Sequence, residues 1–233
     1  MNNYFVILAA GKGKRFNKNK PKQFHQYKNR EVIEHSIIKS VESKLFKKIV
    51  VVTNNFNQFK GKKYLKFIKI INGGKERSDS SLKALKYLKR YNPLNVFIHD
   101  AARPNFSIKL LKKISKNLKK NKAVVPVIKS KDSIKYKIKS QIFNLDKKNS
   151  ILTQTPQAFR FKELYKLACK EKDNLSDEAT LFLNQNHKVK FISGENQNSK
   201  ITYLDDINTS KTYFGIGFDL HRLNRDKKLY LGG

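Results

Sequence analysis

The sequence predicts an α/β fold, with a mainly parallel β-sheet flanked by helices and a protruding β-arm. The first observation behind this prediction is that short apolar runs alternate with amphipathic stretches along the 233-residue chain. The second is that the apolar runs are continuous and rich in β-branched and aromatic residues, which is typical of strands covered on both faces. Strands that alternate with helices in this way pair in parallel through right-handed crossovers.

Six apolar runs are predicted to be the strands of the sheet. In chain order they are YFVILA (4–9), KIVVVT (48–53), FIKII (67–71), NVFIH (95–99), AVVPVI (123–128) and VKFIS (189–193). Three of them lead directly into the polar loops AAGKGKR, TNNF and HDAARP. Because open α/β sheets bind ligands outside the carboxyl ends of their strands, these loops are expected to carry the chemistry.

Four stretches between the strands are predicted to be helices, at residues 31–41, 79–91, 107–118 and 163–169. Leu82, Leu85 and Leu88 recur at the spacing that places them on one face of the second helix. Ser107 is a suitable N-cap for the third. Cys169, the only cysteine, falls in the fourth, where a packed side chain is expected rather than a catalytic thiol. A single cysteine excludes an internal disulfide and favours the reducing cytoplasm.

Residues 129–152 interrupt the alternation. Ile134, Tyr136 and Ile138 alternate with polar residues, which is typical of a two-stranded arm. An arm with so little core of its own is expected to pack on another body, and a second subunit and a plain surface hairpin are both open readings. The pattern changes again after residue 212, so the chain divides into a main domain, 1–212, and a short tail, 213–233.

The composition is strongly basic, with 51 Lys and Arg residues against 18 Asp and Glu and a net charge of +33. Such a field attracts any polyanion, including nucleic acid. The lysines are spread over nearly every helix and loop, however, whereas a nucleic-acid-binding protein clusters them on one surface. A specific nucleic-acid partner is therefore not expected. No apolar run approaches the length of about 20 residues that crosses a bilayer, so no membrane partner is expected either.

The first loop, LAAGKGKRF, is neither of the two common phosphate-binding motifs. It lacks the GxxxxGK[ST] pattern of a P-loop, and Phe16 stands where the dinucleotide fingerprint has its third glycine. Gly11 and Gly13 nevertheless expose backbone N–H groups that suit a triphosphate, with Arg15 and Lys22 as nearby cations. An ordinary basic loop explains this segment equally well when it is taken alone.

Two further clusters favour a bound anion. GGKERSDSS (73–81) places glycines and serines at the predicted start of a helix, which suits an anion but also ordinary capping. In HDAARP (99–104), Asp100 follows a strand directly, the usual place for a carboxylate that holds Mg²⁺ on substrate phosphates. A carboxylate that simply caps the next turn is the alternative. His99 is expected to be structural rather than catalytic.

Taken together, seven motifs in one order identify a family. LAAGKGKRF, PKQF, GGKERSDS, HDAARP, TPQAF (155–159), SDEAT (176–180) and NSKIT (198–202) occur in that sequence. Over roughly residues 3–212 the chain resembles the 2-C-methyl-D-erythritol 4-phosphate cytidylyltransferases of the non-mevalonate isoprenoid pathway. The resemblance implies a Rossmann-like sheet of the nucleotide-diphospho-sugar transferase type. It also implies a homodimer and the transfer of CMP from CTP to methylerythritol 4-phosphate, with release of pyrophosphate.

The resemblance also assigns roles to individual residues. Arg15, Lys22 and Lys200 would be the cations on the triphosphate, and Asp100 would hold Mg²⁺. The nucleotide pocket would be lined by Ala9, Ala10, Gly11, Gly13, Gly74, Ser80, Asp100 and Ala101. The acceptor would be bound by Arg103, Ser133 and Thr155. Lys147 would also be catalytic, because it falls at the position of an arm cation that, in the family, reaches the active site of the neighbouring subunit.

Four positions depart from the family pattern. Leu8 replaces a common proline, and Lys75 replaces a frequent acidic residue. Ser133 in place of threonine keeps a hydroxyl. Lys147 in place of arginine keeps the charge but loses the bidentate fork, so the affinity for the acceptor is expected to differ.

The tail carries a second resemblance. FGIGFDLHRL followed by LYLGG looks like the first strand of methylerythritol cyclodiphosphate synthase, which some bacteria fuse behind the cytidylyltransferase. Asp219 and His221, two residues apart on a strand, would point the same way and could share Zn²⁺ or a similar divalent metal. We expect an incomplete metal site, a tail too short to close such a domain, and no cyclase activity from this chain.

Two other functions are compatible with parts of the sequence. A cytidylyltransferase for another alditol phosphate, such as ribitol 5-phosphate, shares the AAG, PKQ and DAARP motifs, and a substrate panel separates it from the first reading. A basic nucleic-acid-binding protein would leave the ordered motifs unexplained.

Overall fold

A computed structural model describes residues 2–11, 16, 20–171 and 175–207. Its strands are β1 (Asn3–Leu8), β2 (Gln26–Tyr27), β3 (Arg30–Glu31), β4 (Lys48–Val52), β5 (Ile68–Ile71), β6 (Asn95–Asp100), β7 (Ala123–Lys129), β8 (Ile134–Ile138), β9 (Gln141–Leu145), β10 (Ile151–Thr153), β11 (Gln157–Arg160) and β12 (Lys190–Ser193). Its α-helices are α1 (Val32–Glu42), α2 (Arg77–Lys89), α3 (Ile108–Leu118), α4 (Phe161–Lys170) and α5 (Glu178–Asn184). The predicted α/β class is confirmed.

Eight strands form the main sheet, in the order β10-β7-β11-β6-β1-β4-β5, with β12 paired to β7. Strands β6, β1, β4 and β5 are parallel neighbours, and β12 is parallel to β7. The mainly parallel sheet is thus confirmed. Strands β10 and β11 run antiparallel to their neighbours, however, and the sequence analysis did not predict either of them.

Strand β1 is apolar from Tyr4 to Leu8 because both of its faces are covered. Phe5 and Ile7 point into a core beneath α1 and α3, and Tyr4 and Val6 point into a second core beneath α2, α4 and α5. Because both faces are covered, alternation with polar residues would bury unpaired polar groups. The six predicted strands are all present, with ends that differ by one residue at most positions.

The helices confirm the periodic patterns with one correction. Ser107 Oγ caps α3 by accepting the Leu110 N–H at 3.0 Å. Cys169 lies on α4 as predicted, but its side chain is exposed, so the expected packing was wrong. Cys169 lies on the solvent-exposed side of α4, whereas Phe161 and Leu164 of the same helix are buried in the core. Helix α5 was not predicted.

The arm is a separate two-stranded sheet formed by β8 and β9. Tyr136 and Phe143 stack across it with ring centroids 5.1 Å apart. Several apolar side chains of the arm remain exposed, most of all Ile142 at 70%. The local hairpin is therefore as predicted, whereas the boundary of the main domain at residue 212 lies outside the described residues and stays a prediction.

Candidate active site

Asp100 lies at the carboxyl edge of the sheet, at the last position of β6 beside Leu8 of the parallel strand β1. Its backbone N–H donates to Thr155 Oγ1 at 3.0 Å. The carboxylate accepts two cationic donors, Arg77 Nε on Oδ1 at 3.1 Å and Lys200 Nζ on Oδ2 at 2.8 Å. Burial alone would raise the pKa of this carboxyl, but the charges of Arg77 and Lys200 outweigh burial and hold the pKa well below its usual range.

Arg77 joins Asp100 to a second carboxylate. Its Nη1 and Nη2 donate to the two oxygens of Glu178 at 2.8 and 2.9 Å. Sequence reasoning missed both residues, although Arg77 lies inside GGKERSDS and Glu178 inside SDEAT. Their occurrence in two of the ordered motifs could have marked them as site residues. The sequence did not indicate, however, that the two side chains pair.

Lys22 lies beside the segment that carries Lys200. Its Nζ donates to the Ile201 carbonyl at 2.6 Å, and the Ile201 N–H donates to the Ala102 carbonyl at 2.8 Å. The PKQF and NSKIT segments therefore meet next to the loop that follows Asp100. Burial of Ala101 at 2% exposure is consistent with its place in this loop.

The two glycine loops, the first after β1 and the second at residues 73–81, also contact each other. Gln23 Nε2 donates to the Ala9 carbonyl at 2.7 Å and to the Gly11 carbonyl at 3.2 Å, which joins PKQF to the first loop. A Cβ on Gly73 would lie 2.2 Å from the Cβ of Ala10, so only glycine allows the second loop to approach the first. The loop is shaped by Ser80 Oγ, which accepts the Gly74 N–H at 3.0 Å.

Of the predicted acceptor residues, Arg103 and Thr155 belong to this cluster. Arg103 Nη1 donates to the Asn198 carbonyl at 2.9 Å. Its buried Nε has no hydrogen-bond partner among the described residues. Thr155 Oγ1 contacts His99 Nδ1 at 3.1 Å in addition to the Asp100 N–H.

His99 is fully buried, and burial lowers its pKa to about 3. Its Nε2 contacts Ser36 Oγ at 3.1 Å. A neutral imidazole packed between two hydroxyls supports the structural role expected for it.

Ser133 and Lys147 lie elsewhere, on the exposed arm. Both line an open cavity at its base, together with Lys129 and Asp146. Lys147 Nζ donates to the Lys131 carbonyl. The described contacts within one subunit thus do not join Ser133 or Lys147 to Asp100.

Four predicted site residues lie outside the described residues: Gly13, Arg15, Asp219 and His221. The predicted metal site of the tail lies there in full.

Comparison with known proteins identifies the family. A family model described as IspD, 2-C-methyl-D-erythritol 4-phosphate cytidylyltransferase, matches residues 4–215. A protein of that name from Thermosipho africanus is 35% identical over 212 residues, which are 87% of this chain and 93% of that protein. The chain belongs to the IspD family.

Two further comparisons agree with this IspD assignment. A Bifunctional enzyme IspD/IspF from Pelagibacter ubique is 48% identical over 235 residues, which cover all of this chain and 63% of that relative. The chain thus spans less than two thirds of that bifunctional relative. The crystal structure of 4-diphosphocytidyl-2C-methyl-D-erythritol synthase from Anaerococcus prevotii superposes with a TM-score of 0.76 at 30% identity, over 88% of this chain and 94% of that one.

Enzymes of the IspD family are nucleotidyltransferases that commonly use a divalent metal. Within the ranges that the structure describes, no three His, Cys, Asp or Glu side chains come together as a metal site. Within the same ranges, no helix combines the length and the hydrophobicity that a bilayer crossing requires.

Proposed function

We propose that this chain transfers CMP from CTP to 2-C-methyl-D-erythritol 4-phosphate and releases pyrophosphate. A phosphate oxygen of the acceptor attacks the α-phosphorus of CTP, the bond from that phosphorus to the bridging oxygen breaks, and the electron pair leaves with pyrophosphate. The observation that carries the proposal is the convergence of Asp100, Arg77 and Lys200 with the glycine loops at one edge of the sheet. Family membership supports it.

The acceptor phosphate is already an anion at neutral pH, so the reaction needs no general base. The obstacle is the approach of two phosphates, which positioning and fixed positive charge overcome. In this proposal Arg15, Lys22 and Lys200 bind the triphosphate and stabilise the charge of the transition state. Ala9, Ala10, Gly11, Gly13, Gly74, Ser80 and Ala101 form the nucleotide pocket.

Asp100 fits the role of a magnesium ligand. Mg²⁺ on nucleotides takes one or two protein carboxylates and completes its coordination with phosphates and water, so a single buried carboxylate is a sufficient donor. When bound, Mg²⁺ would neutralise charge on the triphosphate and fix its orientation. Lys200 Nζ, which contacts Oδ2 at 2.8 Å, would then be free to bind a phosphate.

The acceptor roles are refined by the contacts of this chain. Arg103 is proposed to bind the acceptor phosphate through its Nη groups, which donate to the Asn198 and Thr153 carbonyls among the described residues. Thr155 Oγ1 is occupied by the Asp100 N–H, so we propose that it orients Asp100. Ser133 and Lys147 are proposed to act from the arm. Lys147 would reach the active site of a second subunit in a homodimer. The dimer contact would cover side chains of the arm that are exposed in one subunit, such as Ile142.

Pyrophosphate release tests this function. The assay offers each of the four nucleoside triphosphates with Mg²⁺, alone and with methylerythritol 4-phosphate or ribitol 5-phosphate. Release is expected only with CTP and methylerythritol 4-phosphate. Equal or higher rates with ribitol 5-phosphate would instead establish the other alditol phosphate as substrate. We place the reaction in the cytoplasm, which the single cysteine favours.

A further inference from the structure

The guanidinium of Arg77 divides its donors unequally between two carboxylates. Nη1 and Nη2 form a fork on Glu178, while Asp100 receives a single bond, from Nε at 3.1 Å. A guanidinium also offers a second fork, made of Nε and one Nη. The fork on Glu178 fixes the plane of the guanidinium, and in this orientation Asp100 receives the Nε–H alone.

Glu178 is well suited to keep that arrangement, because its position in the fold is fixed on several sides. It is the first residue of α5, and its side chain is only 4% exposed. Asp177 Oδ1 caps the helix by accepting the Thr180 N–H at 3.1 Å. Asp177 Oδ2 accepts Gln157 Nε2 at 2.8 Å and Thr153 Oγ1 at 3.0 Å, which fastens α5 to β10 and β11.

Charge and burial add to the same effect. Burial alone would lower the pKa of Arg77, but Glu178 and Asp100 outweigh it and raise the pKa, so the guanidinium stays charged. In this partly buried setting an Arg77 released from Glu178 has one remaining acidic neighbour in contact, Asp100. A bidentate pair with Asp100 is the arrangement that then satisfies its donors best.

We propose that Glu178 is a positioning residue for Asp100 that acts through Arg77. By fixing the plane of the guanidinium, Glu178 holds Arg77 to one bond on Oδ1 and leaves Oδ2 for exchange between Lys200 and a divalent cation on the nucleotide. The proposal gives a role to the motif SDEAT, which contains none of the residues proposed to contact the nucleotide or the acceptor. The inference rests on the proposed function, since it assumes that a metal–nucleotide complex binds at Asp100.

Calorimetric titration of CTP without acceptor tests the proposal, because CTP is not consumed under these conditions. CTP is titrated into each protein once in the presence of Mg²⁺ and once in the presence of EDTA. The ratio of the two dissociation constants for CTP measures how far the metal tightens CTP binding. The variants are Glu178→Gln and the double variant Arg77→Gln/Glu178→Gln. Glu163→Gln is the matched control, because Glu163 is also a helical carboxylate paired with a cation, Lys122, at 3.5 Å.

Loss of a group that orients a metal ligand typically costs about 10- to 100-fold in metal affinity. We therefore expect Glu178→Gln to reduce the Mg²⁺-dependent tightening by at least about tenfold, while Glu163→Gln retains it. The double variant is expected to recover most of the loss, since no guanidinium is left to take both oxygens of Asp100. A residue needed only for folding would not be rescued by removing its partner.

Two results would overturn the proposal: a wild-type Mg²⁺ effect in Glu178→Gln, or a double variant as impaired as the single one. If Glu178→Gln shows no cooperative melting transition, Glu178→Asp replaces it. That variant keeps the charge but shortens the side chain, and a wild-type Mg²⁺ effect in it is equally contrary to the proposal. Wild-type protein that does not bind CTP at all would contradict the proposed function, and this inference with it.

Discussion

Thr155 and Asp100 are joined by a hydrogen bond from the Asp100 N–H to Thr155 Oγ1 at 3.0 Å, across 55 residues of sequence. The same hydroxyl contacts the buried His99 Nδ1 at 3.1 Å. One side chain thus satisfies two buried groups and sets the position of the carboxylate at the centre of the candidate site.

Thr155→Val is expected to destabilise the protein by about 1–3 kcal/mol, because in nearly the same volume it removes the hydroxyl that accepts the buried Asp100 N–H and contacts His99 Nδ1. Thr155→Ser keeps the hydroxyl and should lose much less. Urea denaturation of the two variants measures the difference. Equal stability of wild type and Thr155→Val would show that water satisfies these groups.

Lys22→Ala is expected to abolish turnover and to leave the fold intact. Lys22 Nζ donates to the Ile201 carbonyl at 2.6 Å, and loss of a hydrogen bond of this kind costs about 0.5–1.5 kcal/mol. Removal of a cation that stabilises transition-state charge costs roughly 100- to 1,000-fold in kcat. Pyrophosphate release and thermal melting are the two measurements. Lys116→Ala, at an exposed position of α3, is the control, and a wild-type rate for Lys22→Ala would remove Lys22 from the mechanism.

Gly73→Ala is expected to separate the two glycine loops, because the new Cβ would lie 2.2 Å from the Cβ of Ala10. Overpacking of this kind costs about 1–3 kcal/mol, and the affinity for CTP should fall with it. Gly11→Ala is the comparison, since a Cβ there meets no atom of the described residues within 4 Å. Melting temperatures should therefore fall for Gly73→Ala alone, and an equal fall in both variants would contradict this steric explanation.

Asp177 makes stability depend on pH. Burial would raise its pKa, but hydrogen bonds from Gln157, Thr180 and Thr153 outweigh burial and lower the pKa below the usual value of an aspartate. A carboxyl with a lowered folded-state pKa contributes stability above its unfolded pKa and loses it as the pH falls through the folded value.

Asp177→Asn is therefore expected to be less stable than wild type at neutral pH and to show a shallower loss of stability below about pH 4. Denaturation midpoints measured between neutral pH and pH 3 test this. Asp132→Asn, in the exposed turn before the arm, should follow the wild-type curve. Parallel curves for Asp177→Asn and wild type would exclude this contribution.

Ile142→Lys tests the proposed role of the arm. Ile142 is 70% exposed within one subunit, and a lysine there would place a charge in any interface that covers it. Light scattering is expected to show a dimer for wild type and a monomer for the variant. Leu183→Lys, on the exposed side of α5, is expected to remain dimeric. A wild-type protein that is monomeric at all concentrations tested would contradict the homodimer.

Local patterns predicted the main strands and four helices because each pattern reflects burial at that place. The continuous apolar run of β1, for example, follows directly from its two covered faces. Strands β10 and β11 were missed because they are short and border a motif, TPQAF, that was read for its chemistry. Cys169 was expected to pack, but it lies on the exposed side of α4, and which side of a helix meets the sheet depends on the tertiary structure.

The sequence by itself determined the fold class, the family resemblance and the place of Asp100 at the end of a strand. These follow from residue order, because apolar runs and motifs are local. Only the tertiary structure decided that Arg77 and Glu178, 101 residues apart, pair beside Asp100. Such pairing depends on which strands become neighbours and on how α5 is held against them. These contacts join residues that are far apart in the sequence, so they leave no periodic pattern from which they could be predicted.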